Sequence, residues 1–266
     1  MKTIRLILSA TMLLGATHGA AKSPPSTATA PLKTAAHRHT SLIEIKPDKV
    51  EACKKLFAAV PAEVAALYKA AEVRNLTCYL KELEGKTYLF TYLEYAGQDA
   101  VGEIRRAEAQ EPVKAWKNSI AELQVTPGQS LTSGEVEEVF FTVGAAAVVP
   151  TPEKYTRTGM ITGLKPEKEA EYRTLHATAW PGVLKGIADC NFRNFSIGLT
   201  AVGDRLYLIG YLEYVGKDPA ADGAAGKALP INKRWWKFTD ACQLPLPAAA
   251  AKGEIWDGMT EIYHLD

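Results

Sequence analysis

Two hydrophobic periods alternate along the chain, and they do so twice. Apolar residues at every second position predict strands at "HTSLIEI" (39–45), "LTCYLKEL" (76–83), "TYLFTYLEY" (87–95) and "EEVFF" (137–141). The pattern returns at "RTGMITGL" (157–164), "FSIGLTAV" (195–202), "RLYLIGYLEY" (205–214) and "TEIYHL" (260–265). In each set a stretch of helical period follows "KP(D/E)K", where proline and an acidic residue suit a helix start. "EGK" (84–86) and "VGD" (202–204) read as hairpin turns. A second helical stretch ends in a tryptophan segment, "AWKNS" (115–119) or "WWKFT" (235–239), and a last strand closes the set. The order is β-α-β-β-α-β, that of a ferredoxin-like unit.

The two sets also match in detail. Lys46 and Lys165 precede equivalent prolines, and 165 − 46 = 119. Tyr92 and Tyr211 open equivalent "YLEY" segments, and 211 − 92 = 119. "VRNLTCYL" (73–80) meets "FRNFSIGL" (192–199) at that offset. The tryptophan segments match with a shift of one residue, which pairs Trp236 with Trp116 and sets Trp235 opposite Ala115. Self-similarity of this kind predicts a diverged duplication. A four-stranded sheet with helices on one face leaves its other face bare, and two such sheets can cover each other. The predicted architecture is α+β: two tandem ferredoxin-like units, 39–143 and 156–266, joined by 144–155 and packed as an intramolecular pseudo-dimeric α+β barrel.

Composition adds boundaries and exclusions. Lys2 and Arg5, the apolar run "LILSATMLLGA", and small residues at Gly19 and Ala21 read as a secretory signal peptide over 1–21. The run is shorter than the ~20 residues of a membrane span. Residues 22–38, with "SPPSTATAP", read as a flexible linker. An exported protein, periplasmic or extracellular, is expected, with no membrane association after cleavage. A net charge of +1 without a basic run argues against nucleic acid. The internal pairing of units predicts a monomer. Cysteine and histidine spacings suit no metal, so neither metal nor cofactor is expected.

Candidate chemistry lies on the first helix of the second unit, "EAEYRTLHATAWPGVLKGI" (169–187). Tyr172, His176 and Trp180 recur at i, i+4 and i+8, one stripe of one helix face. Val183, Leu184 and Ile187 continue beside it, so the stripe faces inward. The 119 offset sets Cys53 opposite Tyr172 and Phe57 opposite His176. An apolar ring therefore suits the position, and an unpaired imidazole there costs free energy unless it has a use. Glu94 and Glu213, Arg74-Asn75 and Arg193-Asn194 occur in both units and read as scaffold.

"EYRTLHATAWPGV", "RNFSI" and "KRWWK", in that order and spacing, resemble the L-rhamnose mutarotase family over most of 156–266. The resemblance implies a ferredoxin-like α+β barrel that interconverts the α and β anomers of L-rhamnose without a cofactor. It implies a proton donor at His176 and sugar contacts at Tyr172, Trp235 and Trp236. A further sugar-binding tyrosine of the family falls at Phe195, which has no hydroxyl. Trp235, as the ring without a counterpart, reads as the better cavity wall, and Trp236 as partly scaffold. The first unit, with Cys53, Phe57, Leu76 and Ala115 at the site positions, reads as catalytically silent. Cys53 and Cys78 fall where its sugar would lie, and a disulfide between them is expected. Two other readings share the scaffold: an exported monosaccharide-binding module without activity, and a small-molecule oxygenase. The Tyr/His/Trp/Trp pattern argues against the oxygenase.

Overall fold

A computed structural model describes residues 37–95, 99–132, 136–145 and 155–266. The expected signal segment 1–21, residues 22–36 of the linker, and most of the 144–155 connection lie outside the described residues. The first half runs β1 (His37–Ile45), α1 (Val50–Ala58), α2 (Ala62–Ala70), β2 (Val73–Leu83), β3 (Lys86–Tyr95), α3 (Ala100–Glu108), α4 (Glu111–Leu123) and β4 (Glu137–Gly144). The second runs β5 (Thr156–Leu164), α5 (Glu169–Ala177), α6 (Pro181–Asp189), β6 (Phe192–Val202), β7 (Arg205–Tyr214), α7 (Pro219–Ala228) and α8 (Pro230–Cys242). It ends in β8 (Gln243–Leu244), α9 (Pro247–Ala250), β9 (Asp257–Gly258) and β10 (Thr260–Leu265). β1 thus begins two residues before the expected start of the unit at 39.

The helix expected over 169–187 is in fact two helices. α5 stops at Ala177, and Trp180 is extended at φ −65°, ψ 134°. Pro181 is the cause: it lacks an N–H, would clash with the carbonyl four residues back, and holds its predecessor out of helical geometry. Trp180 therefore leaves the stripe that spacing alone assigned to it.

The strands form two antiparallel sheets, ordered β1-β3-β2-β10 and β4-β6-β7-β5-β8, with β9 on β5. Neither last strand closes its own unit. β10 pairs with β2 of the first half, His264 opposite Thr77, and β4 pairs with β6 of the second, Phe141 opposite Ser196. The slot beside β1 is already used, because Gln124 bridges Ile45 and Lys46 N–H donates to Leu123 O at 2.9 Å. β8 occupies the same slot beside β5. The chain then runs on to the far edge of the other sheet.

Tyr92 and Tyr211 stack between the sheets at 3.8 Å and 9°, among Tyr79, Phe90, Ile161 and Ile209. Beside them the repeated "RN" and "YLEY" segments meet. Asn75 and Asn194 sit at φ 52° and 51°, in the left-handed region that asparagine tolerates better than most residues. Both amides donate to Glu94 and to Glu213. Arg193 Nε donates to Glu213 at 2.6 Å, with both side chains buried. The shared motifs thus lock the halves together.

The expected Cys53–Cys78 disulfide is not formed; both thiols are free and buried. Cys78 Sγ lies 3.6 Å from Thr91 Oγ1 instead. Burial pushes Cys53 up to about 11 and Cys78 up to about 12, values of unreactive thiols.

Candidate functional site

The second half encloses a cavity between its helices and its sheet. The empty space, open mouth and adjoining solvent included, is about 790 Å³. Tyr172, His176, Phe195, Trp235 and Trp236 all line it. Trp180 does not: it stands behind Trp235, edge-on at 5.3 Å, with Arg234 5.2 Å from its ring.

α5 presents Tyr172 and His176 one turn apart on its buried face. Their rings stack at 4.0 Å. Phe140 and Trp235 each meet the imidazole edge-on at 5.4 Å. Phe140 belongs to β4, so the first half of the chain contributes one wall of the cavity.

His176 Nδ1 donates to the carbonyl of Tyr172 at 3.0 Å. That bond fixes the tautomer and leaves Nε2 as a lone-pair acceptor. Burial lowers the imidazole from 6.5 to about 4, against the opposing pull of the carbonyl. Burial also holds the Tyr172 phenol well above its usual value of 10. The histidine is neutral near pH 7. Its folded-state value lies below its unfolded one, so the unfolded chain binds the extra proton between pH 6.5 and about 4. Stability therefore falls as the pH drops through that window, by about 3 kcal/mol in all. Urea unfolding measured against pH, with His176→Phe as reference, checks this: the variant lacks that part of the acid loss.

The tryptophan segments obey the same offset as the rest. α4 and α8 begin at 111 and 230, and 230 − 111 = 119. Trp116 therefore corresponds to Trp235, both buried, and Trp236 corresponds to Lys117 of the first half. This reverses the expectation from the shifted match: Trp235 holds the scaffold position and Trp236 is the added ring. The first half fills its equivalent space. Phe57 packs on Trp116 at 5.5 Å and on Tyr263 of β10 at 6.1 Å, and Tyr68 stands where the second half has only Ile187.

Several lining residues escaped the sequence reading. Asp240, Thr239 and Gln243 add polar groups from α8 and the residue after it. Asp240 follows Trp236 by four residues, on one helix face. At the 119 offset it replaces Ala121, a signal that the one-residue shift hid. Ile255 and Trp256 precede β9. Glu138 and Glu261 of the exchanged strands lie 261 − 138 = 123 apart, so the second half gains four residues in this region. Among the described residues, no three His, Cys, Asp or Glu side chains converge as a metal ion would require.

Solved structures share the architecture. A Lactobacillus acidophilus NCFM protein described as a monooxygenase superposes with TM-score 0.50 at 7% identity, over 85% of this chain and 95% of that one. At that identity the likeness speaks for the fold alone. The L-rhamnose mutarotase of Oceanobacillus iheyensis is 26% identical over 110 residues, 41% of this chain and 98% of that protein. One half of this chain thus spans nearly the whole of that relative. The sequence profile of L-rhamnose mutarotase matches two segments, 38–142 and 157–265. With both halves matched, the chain belongs to the L-rhamnose mutarotase family.

Proposed function

We propose that the second half interconverts the α and β anomers of a free monosaccharide, L-rhamnose or a similar deoxyhexose, by acid–base catalysis without a cofactor. The observation that carries this is the convergence of Tyr172, His176, Trp235 and Trp236 on one cavity in a chain of this family. Aromatic faces suit the C–H face of a pyranose, and polar groups suit its hydroxyls.

Mutarotation opens the hemiacetal and recloses it on the other carbonyl face. The ring oxygen gains a proton while the anomeric hydroxyl loses one, and reclosure reverses both transfers. His176 Nε2 is the acceptor-ready atom of the site. Having taken a proton, the imidazolium can return one, and a positioned group of this kind contributes roughly 10²–10⁴-fold. Tyr172, which keeps its proton, orients the sugar, and Trp235 and Trp236 wall it in. With 1–21 read as a signal peptide, the activity belongs outside the cytoplasm.

Saturation-transfer NMR between the anomers of L-rhamnose tests the reading, with L-fucose and D-galactose as comparisons. Exchange well above buffer supports it. Phe195, without a hydroxyl, favours a second reading, a binding module; sugar signals shifted by the protein but not exchanging would identify that. Phe195→Tyr supplies one hydrogen bond of about 0.5–1.5 kcal/mol, so L-rhamnose should bind about twofold to twelvefold more tightly. Unchanged affinity in a titration would mean that the sugar does not reach this residue.

A further inference from the structure

Anomer exchange moves two protons at once, one onto the ring oxygen and one off the anomeric hydroxyl. His176 handles one of them through Nε2, since its Nδ1 is bound to the carbonyl of Tyr172. The other proton needs a partner of its own, a side chain or a water. Among the described residues, three side chains lining the cavity titrate: Tyr172, His176 and Asp240. They come from α5 and α8; the sheet side contributes Phe140, Met160, Phe195 and Ile197, none of which ionises. Tyr172 is buried beneath the imidazole, and its phenol is held well above 10 by burial, with Cys242 adding to the effect. It can orient an oxygen but parts with its proton poorly.

Asp240 remains. α8 carries it one turn beyond Trp236, the added ring of the second half. The first half, whose equivalent space is packed with Phe57, Trp116 and Tyr263, has Ala121 at this position. The imidazole, the added tryptophan and the carboxyl thus occur together in one half, and all three are replaced in the other, by Phe57, Lys117 and Ala121.

We infer that Asp240 is the second proton-transfer group of the cavity, exchanging one proton with the sugar while His176 exchanges the other. This rests on the mutarotase reading above. The step needs one of the two groups to carry a proton and the other to lack it. The holder gives its proton to the ring oxygen as the C1–O5 bond breaks, and the other takes the anomeric proton as the carbonyl forms. Reclosure returns both, so no net proton is consumed. An acid and a base that must act together give a bell-shaped pH profile: deprotonating the one or protonating the other stops exchange.

The test compares the full-length wild type with Asp240→Asn and Asp240→Glu, following L-rhamnose exchange by saturation transfer against pH and sugar binding by titration. Asn keeps the size and one acceptor oxygen but cannot transfer a proton. The expected result is a fall in exchange of roughly 10²-fold or more in Asp240→Asn. Its affinity for the sugar should stay near wild type, one limb of the profile should be missing, and Asp240→Glu should recover part of the rate. Wild-type exchange and an unchanged profile in Asp240→Asn overturn the assignment. So does a loss of folding or sugar binding in Asp240→Asn that Asp240→Glu leaves uncorrected, which would mark a structural role. Absence of exchange in the wild type, with sugar still bound, overturns the mutarotase reading itself, and this distinguishes the two failures.

Discussion

His176→Phe is expected to reduce anomer exchange by roughly 10²-fold or more while the protein folds as before. The first half shows why. Phe57 occupies the equivalent position on α1, buried against Trp116, so the scaffold accepts this ring. The substitution removes Nε2, the acceptor-ready atom of the site. It also relieves the burial that holds the imidazole down at about 4. Urea unfolding at neutral pH should show stability equal to or above wild type. Full exchange activity in a folded variant would remove His176 from the mechanism.

Glu213→Gln is expected to cost about 3–5 kcal/mol, the scale of breaking a buried ion pair by removing one partner. The carboxylate takes Arg193 Nε at 2.6 Å, Asn75 Nδ2 at 2.7 Å, and Asn194 Nδ2 and the Tyr211 hydroxyl at 3.0 Å each. Its loss leaves a buried guanidinium without its counter-charge. Glu94→Gln makes the contrast. Glu94 accepts from Asn75, Asn194 and Tyr92, all neutral donors, and burial raises its carboxyl above the usual carboxylate range. A glutamine there forfeits little beyond one hydrogen bond, about 1.5 kcal/mol or less. Urea denaturation of both variants separates the two. Equal losses would mean that the network is held by its amides and not by the Arg193 pair.

Strand and helix periods, with one offset of 119, made the two units and their face-to-face packing legible in the sequence. They could not show the strand exchange. Period and pattern locate a strand but not its neighbour, and "EEVFF" reads the same beside either sheet. The stripe on α5 was legible for Tyr172 and His176, which share a continuous helix, and failed at Trp180, where Pro181 ends that continuity. The tryptophan correspondence is masked because identical residues lie one position out of register. The unbroken offset would have shown Trp236 opposite Lys117 and Asp240 opposite Ala121. Trp256 had no such signal, since it lies in the region that the second half lengthens.

The exchanged strands bear on how the activity behaves on dilution. Phe140, on a strand from the first half, touches the imidazole of the second. In a pair of separate chains such a wall would come and go with protein concentration. Here one polypeptide carries both parts, so the partner strand stays at a fixed, high effective concentration. Specific activity should be the same at any enzyme concentration. Deleting the first half would take away part of the second half's cavity wall.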